Sequence, residues 1–187
     1  MPILPAFLNF ADEAALIGRM LAGYADLEID LMNCVQAVRG DLDTVLKVMF
    51  RARGETRRID MADAFGRQYY HKHKIGSEFE LAIAAVRYCM KIRNQYAHCT
   101  WWDDNSGQLA FANLEEVAKK NAVVKDLRNL TSHYVNVELL EAQLVYFEYA
   151  DSLLIWLIQE GNARVGRPAL PDRVYPNQLV RPPLSIP

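Results

Sequence analysis

The sequence predicts an all-α protein: an up-and-down helical bundle of four to five helices with one small β-hairpin insertion. Three observations point there. Apolar residues recur every three or four positions over long stretches, the period of a helix with a buried face. The composition is that of an ordinary globular chain, with 51% hydrophobic and 24% charged residues, and 187 residues suffice for one core. Only one stretch, 99–112, abandons the helical period for β-prone runs.

The first helix is expected over 12–39, where Leu16, Met20, Tyr24, Leu27, Leu31, Val35 and Val38 form one apolar stripe, with Asn9 and Asp12 as the cap and Gly40 as the stop. A second helix starts at Asp41, carries Leu42, Val45, Leu46 and Met49, and ends near Gly54. A third covers 56–70 with Ile59, Ala62, Phe65 and Tyr69, followed by a basic break at 71–76. Ser77 and Glu80 have the S-x-x-E spacing of a capping box, which opens a helix running to about His98. CTWW and QLAFA then flank the turn-rich DDNSG and predict a hairpin. Residues 114–130 read as ambiguous with one short helix. Asn136 caps a last long helix to Gln159, with Val137, Leu140, Leu144, Phe147, Leu154 and Ile158 inside and Gly161 ending it. Residues 1–161 thus form one helical domain, and 162–187, holding six of the eight prolines, an extended tail.

Charge and cysteine usage narrow the function. A net charge of −2 excludes a chain coated in positive charge for tight nucleic-acid binding. Yet residues 47–93 hold 11 Lys/Arg against 5 Asp/Glu, while the rest hold 10 against 18, so a basic surface on a mildly acidic body is expected. Cys34, Cys89 and Cys99 are an odd count without CxxC spacing and suggest reduced thiols in a cytoplasmic protein. The apolar start MPILPAFLNFADEAAL lacks a basic leader and soon meets Asp12 and Glu13, the pattern of neither a signal peptide nor a membrane span. There is no Gly-rich phosphate loop, nucleophile elbow or helix-turn-helix signature, and no metal or other cofactor is expected.

The most informative stretch is RNQYAH at 93–98. On a helix advancing about 100° per residue, Leu81, Ala85, Tyr88, Cys89, Ile92 and Tyr96 share a core-facing stripe. Asn94 and His98, four apart, lie on one face and are within hydrogen-bonding reach. Arg93 and His98 are about 140° apart and about 7.5 Å along the axis, so one straight helix does not aim both at one atom. Ile83, Val86, Met90 and Ala97 form a second apolar arc, which either lies at the centre of its own bundle or faces a second copy. Pairing about a two-fold axis would bring two Arg93 and two His98 together. Histidine exchanges protons near neutral pH, and arginine offers a charged planar fork to phosphate oxygens. RNA carries its own nucleophile, so cleavage needs only a base, an acid and a cation.

These residues resemble the R-x4-6-H motif of the HEPN superfamily, in which a polar residue, often Asn, follows the Arg; Asn94 fits. The order of elements, with a long first helix, a motif helix in the middle and a long last helix, is similar over roughly 10–160, and the hexapeptide is its specific part. The resemblance implies a HEPN-like bundle that homodimerises with both motifs in one cleft. It implies a metal-independent endoribonuclease acting on RNA, of the kind found as toxins or defence components with an antitoxin or other partner protein. Arg93 would steady the phosphate, His98 would act as general acid or base, and Asn94 would orient His98 or contact the backbone. Some members are instead non-catalytic dimerisation or sensing modules. Where members silenced by a nucleotidyltransferase carry a tyrosine two residues after the His, this chain has Thr100.

Other residues qualify as RNA contacts. Arg51, Arg53, Arg57 and Arg58 in RARGETRR track a phosphate backbone or coat a solvated loop. Lys72 and Lys74 sit in YYHKHK beside Tyr69 and Tyr70, whose rings are of a type that stacks bases. His71 and His73 lack a third ligand nearby. Trp101 either stacks a base or packs the hairpin, and His133 reads as a surface or capping histidine.

Overall fold

A computed structural model describes residues 3–119, 123–126, 130, 132–168 and 180–185. Among these the chain is mostly helical, with one antiparallel three-stranded sheet. The elements are α1 (Ala6–Asn9), α2 (Ala11–Arg39), α3 (Leu42–Arg51), α4 (Glu55–Lys72), α5 (Gly76–Ala97), β1 (Cys99–Asp103), β2 (Leu109–Asn113), α6 (Leu114–Lys119), β3 (His133–Val135) and α7 (Val137–Arg164). No described helix is long and apolar enough to cross a membrane.

The chain divides into two compact units. One comprises Met1–Ala22, Lys91–Val145 and Leu184–Pro187; the other comprises Gly23–Met90 and Tyr146–Pro183. In the second unit the 3.6-residue period does what it predicts. Leu27, Leu31, Val35 and Val38 of α2, Ile59 and Ala62 of α4, Ala85 and Cys89 of α5, and Leu154 and Ile158 of α7 are all buried, each large side chain contributing about 1.5–3 kcal/mol by leaving water. Polar bonds inside this core are few and specific. The Tyr70 hydroxyl donates to the Cys34 carbonyl at 2.8 Å, and its ring stacks on Phe79 at 4.4 Å. Gly66 lies so close to the Phe79 ring that a Cβ would stand 2.6 Å from it, so this close helix approach requires glycine. Ile83 and Val86, the heart of the second apolar arc, are buried within the chain rather than left for another copy. Leu81, expected in the core stripe, is 48% exposed.

The first unit is organised by its sheet, in the order β1-β2-β3. Every residue of the central strand β2 is buried. The DDNSG turn forms as expected: the Asp103 and Asp104 carboxylates accept from the backbone N–H groups of Asn105 and Ser106, and Asn105 and Gly107 take positive φ. The third strand was not legible as one. His133 pairs with Phe111 across β2 and its ring packs on Phe111 at 5.5 Å, so it is a sheet residue and not a surface cap.

Several caps differ from expectation. Asp41 and Asn136 behave as predicted, accepting from the N–H groups of Thr44 and Leu139. The Ser77–Glu80 capping box does not form. α5 already begins at Gly76, Ser77 donates to Glu78, and Glu80 is drawn to Arg67 and His71 of α4. Asn9 ends α1 and donates to Asp103 instead of capping α2. Gly161 does not end α7. It sits inside the helix against Ala37, Val38 and the Tyr70 hydroxyl, and the left-handed stop falls at Gly166. α7 thus runs three residues into the stretch read as an extended tail, and Arg167 donates to the carbonyls of Gln36 and Ala37. The tail residues 169–179 and 186–187, and 120–122, 127–129 and 131 on the way to β3, lie outside the described residues.

Candidate functional site

The site is built where α5 ends and β1 begins. α5 carries Arg93 and Asn94 in its last two turns, and His98 occupies the turn position directly after Ala97. The antiparallel register sets Cys99 opposite Asn113. The chain leaving β2 is thereby returned beside His98, and α6 starts at once. The N–H of Leu114 donates to the His98 carbonyl at 3.0 Å.

Asn113 joins the two helix ends. Its buried side chain donates to the carbonyls of Asn94 (3.1 Å) and Gln95 (2.9 Å), which α5 leaves unpaired at its C-terminus. Its Oδ1 accepts from the N–H groups of Glu115 (2.9 Å) and Glu116 (3.1 Å), an N-cap for α6. One amide thus clamps the backbone between Arg93 and His98 from the side of β2.

The side chains are ordered differently from the sequence expectation. Asn94 does not meet His98; its Oδ1 accepts from Arg93 Nη1 at 2.9 Å. The neighbour of His98 is Glu115, with Oε1 at 3.5 Å from Nε2, and the His98 side chain is 49% exposed. Sequence reasoning missed both Asn113 and Glu115. The signal was present in Asn-Leu-Glu-Glu at 113–116, a helix start with an N-cap and an acidic first turn.

Beneath the site lies an aromatic cluster. Tyr96 is buried and donates through its hydroxyl to Gln143 at 2.7 Å, and Gln143 in turn donates to the Ser185 carbonyl. Trp101 packs among Phe7 (5.6 Å), Tyr96 (5.8 Å) and Phe111 (5.0 Å). Of its two expected roles, the contacts match hairpin packing. The adjacent Cys99 thiol donates to the Gln95 carbonyl. Burial, followed by the charge of Glu116, pushes its thiol up to about 12, and Cys89 is pushed higher still by burial.

The remaining candidates belong to the other unit. Arg51, Arg53 and Arg57 are exposed around the turn from α3 to α4. Arg58, from the same motif, is held by the buried Glu28 at 2.7 Å and lies over the Phe50 ring, so its guanidinium is committed within the fold. Lys72 and Lys74 are exposed at the end of α4, Lys72 beside a shallow cleft with Gln68 and Tyr69. Tyr70 is wholly buried, so its ring is not available for stacking, and Arg39 covers one face of the half-buried Tyr69 ring. Among the described residues, no group of three or more His, Cys, Asp or Glu stands together as a metal site.

No protein-family model matches the sequence, and no curated protein or solved structure matches the chain.

Proposed function

We propose that the chain is a HEPN-like endoribonuclease that cleaves RNA by attack of its own 2′-hydroxyl, without a metal ion. The observation that carries this reading is the end of α5. A half-exposed imidazole and a guanidinium flank a backbone stretch that Asn113 clamps on both carbonyls.

In the proposed reaction a base removes the 2′-hydroxyl proton, the 2′-oxygen bonds to the adjacent phosphorus, and the 5′-oxygen leaves with a proton from an acid. The products are a 2′,3′-cyclic phosphate and a 5′-hydroxyl. Arg93 neutralises the charge that builds on the phosphoryl oxygens, and His98 exchanges the protons. Asn94 holds the Arg93 fork, and Glu115 orients the His98 ring. One histidine per chain serves as acid or base, so a homodimer with two His98 supplies both. Arg93, Asn94 and Ala97 are half-exposed and are the part of the motif helix open to a second copy.

A second reading is a non-catalytic helical dimerisation or sensing module. It is favoured by the partners that Arg93 and His98 already have inside the chain, Asn94 and Glu115.

The two readings separate on one measurement. Labelled single-stranded RNA is incubated with the parent, Arg93→Ala and His98→Ala proteins in EDTA. The catalytic reading expects cyclic-phosphate ends from the parent and a loss of about 10²–10⁴-fold in rate for His98→Ala. Equal background from all three proteins would reject catalysis and leave the module.

A further inference from the structure

We infer that the turn between α3 and α4 is a binding site for the phosphate backbone of single-stranded nucleic acid. The site is separate from the motif and independent of whether the protein cleaves.

The chain builds it as follows. α3 ends at Arg51, Ala52 is extended, and Gly54, with φ of 85°, is the N-cap of α4. That reversal places Lys47 and Arg51, one turn apart on α3, beside Arg53 of the connector and Arg57 in the first turn of α4. All four line one open groove of about 570 Å³, whose floor includes Val48 and Met61.

Pairing state sets the groove's arginines apart from other arginines of the same unit: Arg58 is matched by Glu28 at 2.7 Å, Arg67 by Asp63 and Glu80, and Arg87 by Asp60 at 2.7 Å, while Arg39 lies over the Phe65 and Tyr69 rings. Of the groove's four, Lys47 is paired with Asp43. Arg51, Arg53 and Arg57 have neither an ion pair nor a side-chain hydrogen bond among the described residues. Among the described residues, no carboxylate lines the groove.

Local electrostatics add to the mismatch. Lys47 and Arg51 are like charges at i, i+4, which repel on a helix. Arg53 and Arg57 sit at the positive end of the α4 dipole, where anions are favoured and cations are not. Gly54 supplies no side-chain cap there, and Glu55 is the acidic residue of that first turn. An anion in the groove would relieve all three conditions together.

The shape selects the kind of anion. The groove is open and its cations are spread over two helices and the connector, which suits an extended polyanion better than a single phosphate. Its apolar floor suits the faces of unpaired bases, which a duplex keeps stacked away. Among the described residues no aromatic ring lines it, so binding is expected to be sequence-tolerant and in the non-specific range, about 1–100 μM.

The test uses a labelled 2′-O-methyl RNA 12-mer, which lacks the nucleophile for cleavage, so its outcome does not depend on the catalytic reading. Fluorescence anisotropy is measured with the full-length protein across salt concentrations. The probe is compared with a duplex of the same sequence and with poly-glutamate of equal charge. The parent is expected to prefer the single strand. The triple variant Arg51→Ala/Arg53→Ala/Arg57→Ala should bind about tenfold more weakly and lose about 2 units of salt slope, since each single-strand phosphate contact contributes about 0.7. Replacing the same three residues by lysine should retain most of the affinity, which separates lost charge from lost folding. Parent-like affinity or slope in the alanine variant would overturn the site. Poly-glutamate binding as tightly as the 12-mer would reassign the groove to an acidic protein partner, and equal binding of the duplex would remove the single-strand selectivity.

Discussion

Two turns of this protein carry the arginines of its candidate sites, and they treat them in opposite ways. At the end of α5, Arg93 is held by Asn94, His98 faces Glu115, and the backbone between them is clamped by Asn113. At the turn from α3 to α4, three guanidinium groups have no partner among the described residues. The first arrangement fixes geometry at little more than one point, as chemistry at a defined atom requires. The second fixes no geometry and keeps its charge available, as counterion exchange with a flexible polyanion requires. Pairing state, more than residue type, separates a site that positions from a surface that attracts.

The comparison breaks most visibly at Asn113. Asn113→Ala removes a buried amide that serves two helix ends, leaving two carbonyls and two N–H groups without it. The expected cost is about 3 kcal/mol, read as a fall in the urea midpoint at unchanged m-value. Asn113→Asp keeps the acceptor for α6 but not the donor to α5, so it should fall between the two. A loss below about 0.5 kcal/mol for the alanine variant would show that the clamp is not structural.

A smaller effect sharpens the contrast between neighbouring arginines. Arg58→Ala leaves the Glu28 carboxylate buried without its cation. Because the Arg58 side chain is itself 26% exposed, solvent offsets part of the loss, and about 2 kcal/mol is expected. Arg57→Ala, one residue away and unpaired, should change stability by less than about 0.5 kcal/mol. Thermal unfolding of the two variants side by side checks this, and equal shifts would contradict the assignment of partners.

The smallest effect is a pH dependence at the opposite end of α3. The Thr44 hydrogen bonds hold the Asp41 carboxyl below its ordinary value of 3.8. A carboxyl depressed on folding contributes stability that is present above the unfolded value and is lost as pH falls through the folded one. The stability difference between the parent and Asp41→Ala should therefore be visible at pH 7 and shrink below pH 3.8. A difference that stays constant on acidification would show that the charged form of the cap is not what α3 uses.

Much of the fold was legible because its signals are short-range. Periodicity located the long helices within a few residues, Asp41 and Asn136 announced two starts, and the DDNSG turn placed the hairpin. The failures share one cause. The Ser77–Glu80 spacing is a correct capping box in isolation, but Arg67 and His71 compete for the same carboxylate. Gly161 reads as a stop, yet it is there to let α7 approach Ala37 and Val38. Leu81 fits the stripe of α5 and is exposed because no element of its unit covers it. For the candidate site, the sequence placed Arg93, Asn94 and His98 at the end of one helix, and that is where the chain carries them. It paired Asn94 with His98 by spacing, whereas the side chain turned to Arg93.

By itself, then, the sequence determined which segments are helical, where the hairpin turns, and that a guanidinium and an imidazole stand near one helix end. Those properties follow from residues within a turn or two of each other. Only the tertiary structure decided that β3 joins the sheet at Phe111 and His133, that Asn113 closes two helices, that Glu115 meets His98, and which arginines keep their charge free. Each of these is a choice among competing partners far apart in the chain. Such choices are settled by which pairings a packed core permits all at once, a condition that no local pattern encodes.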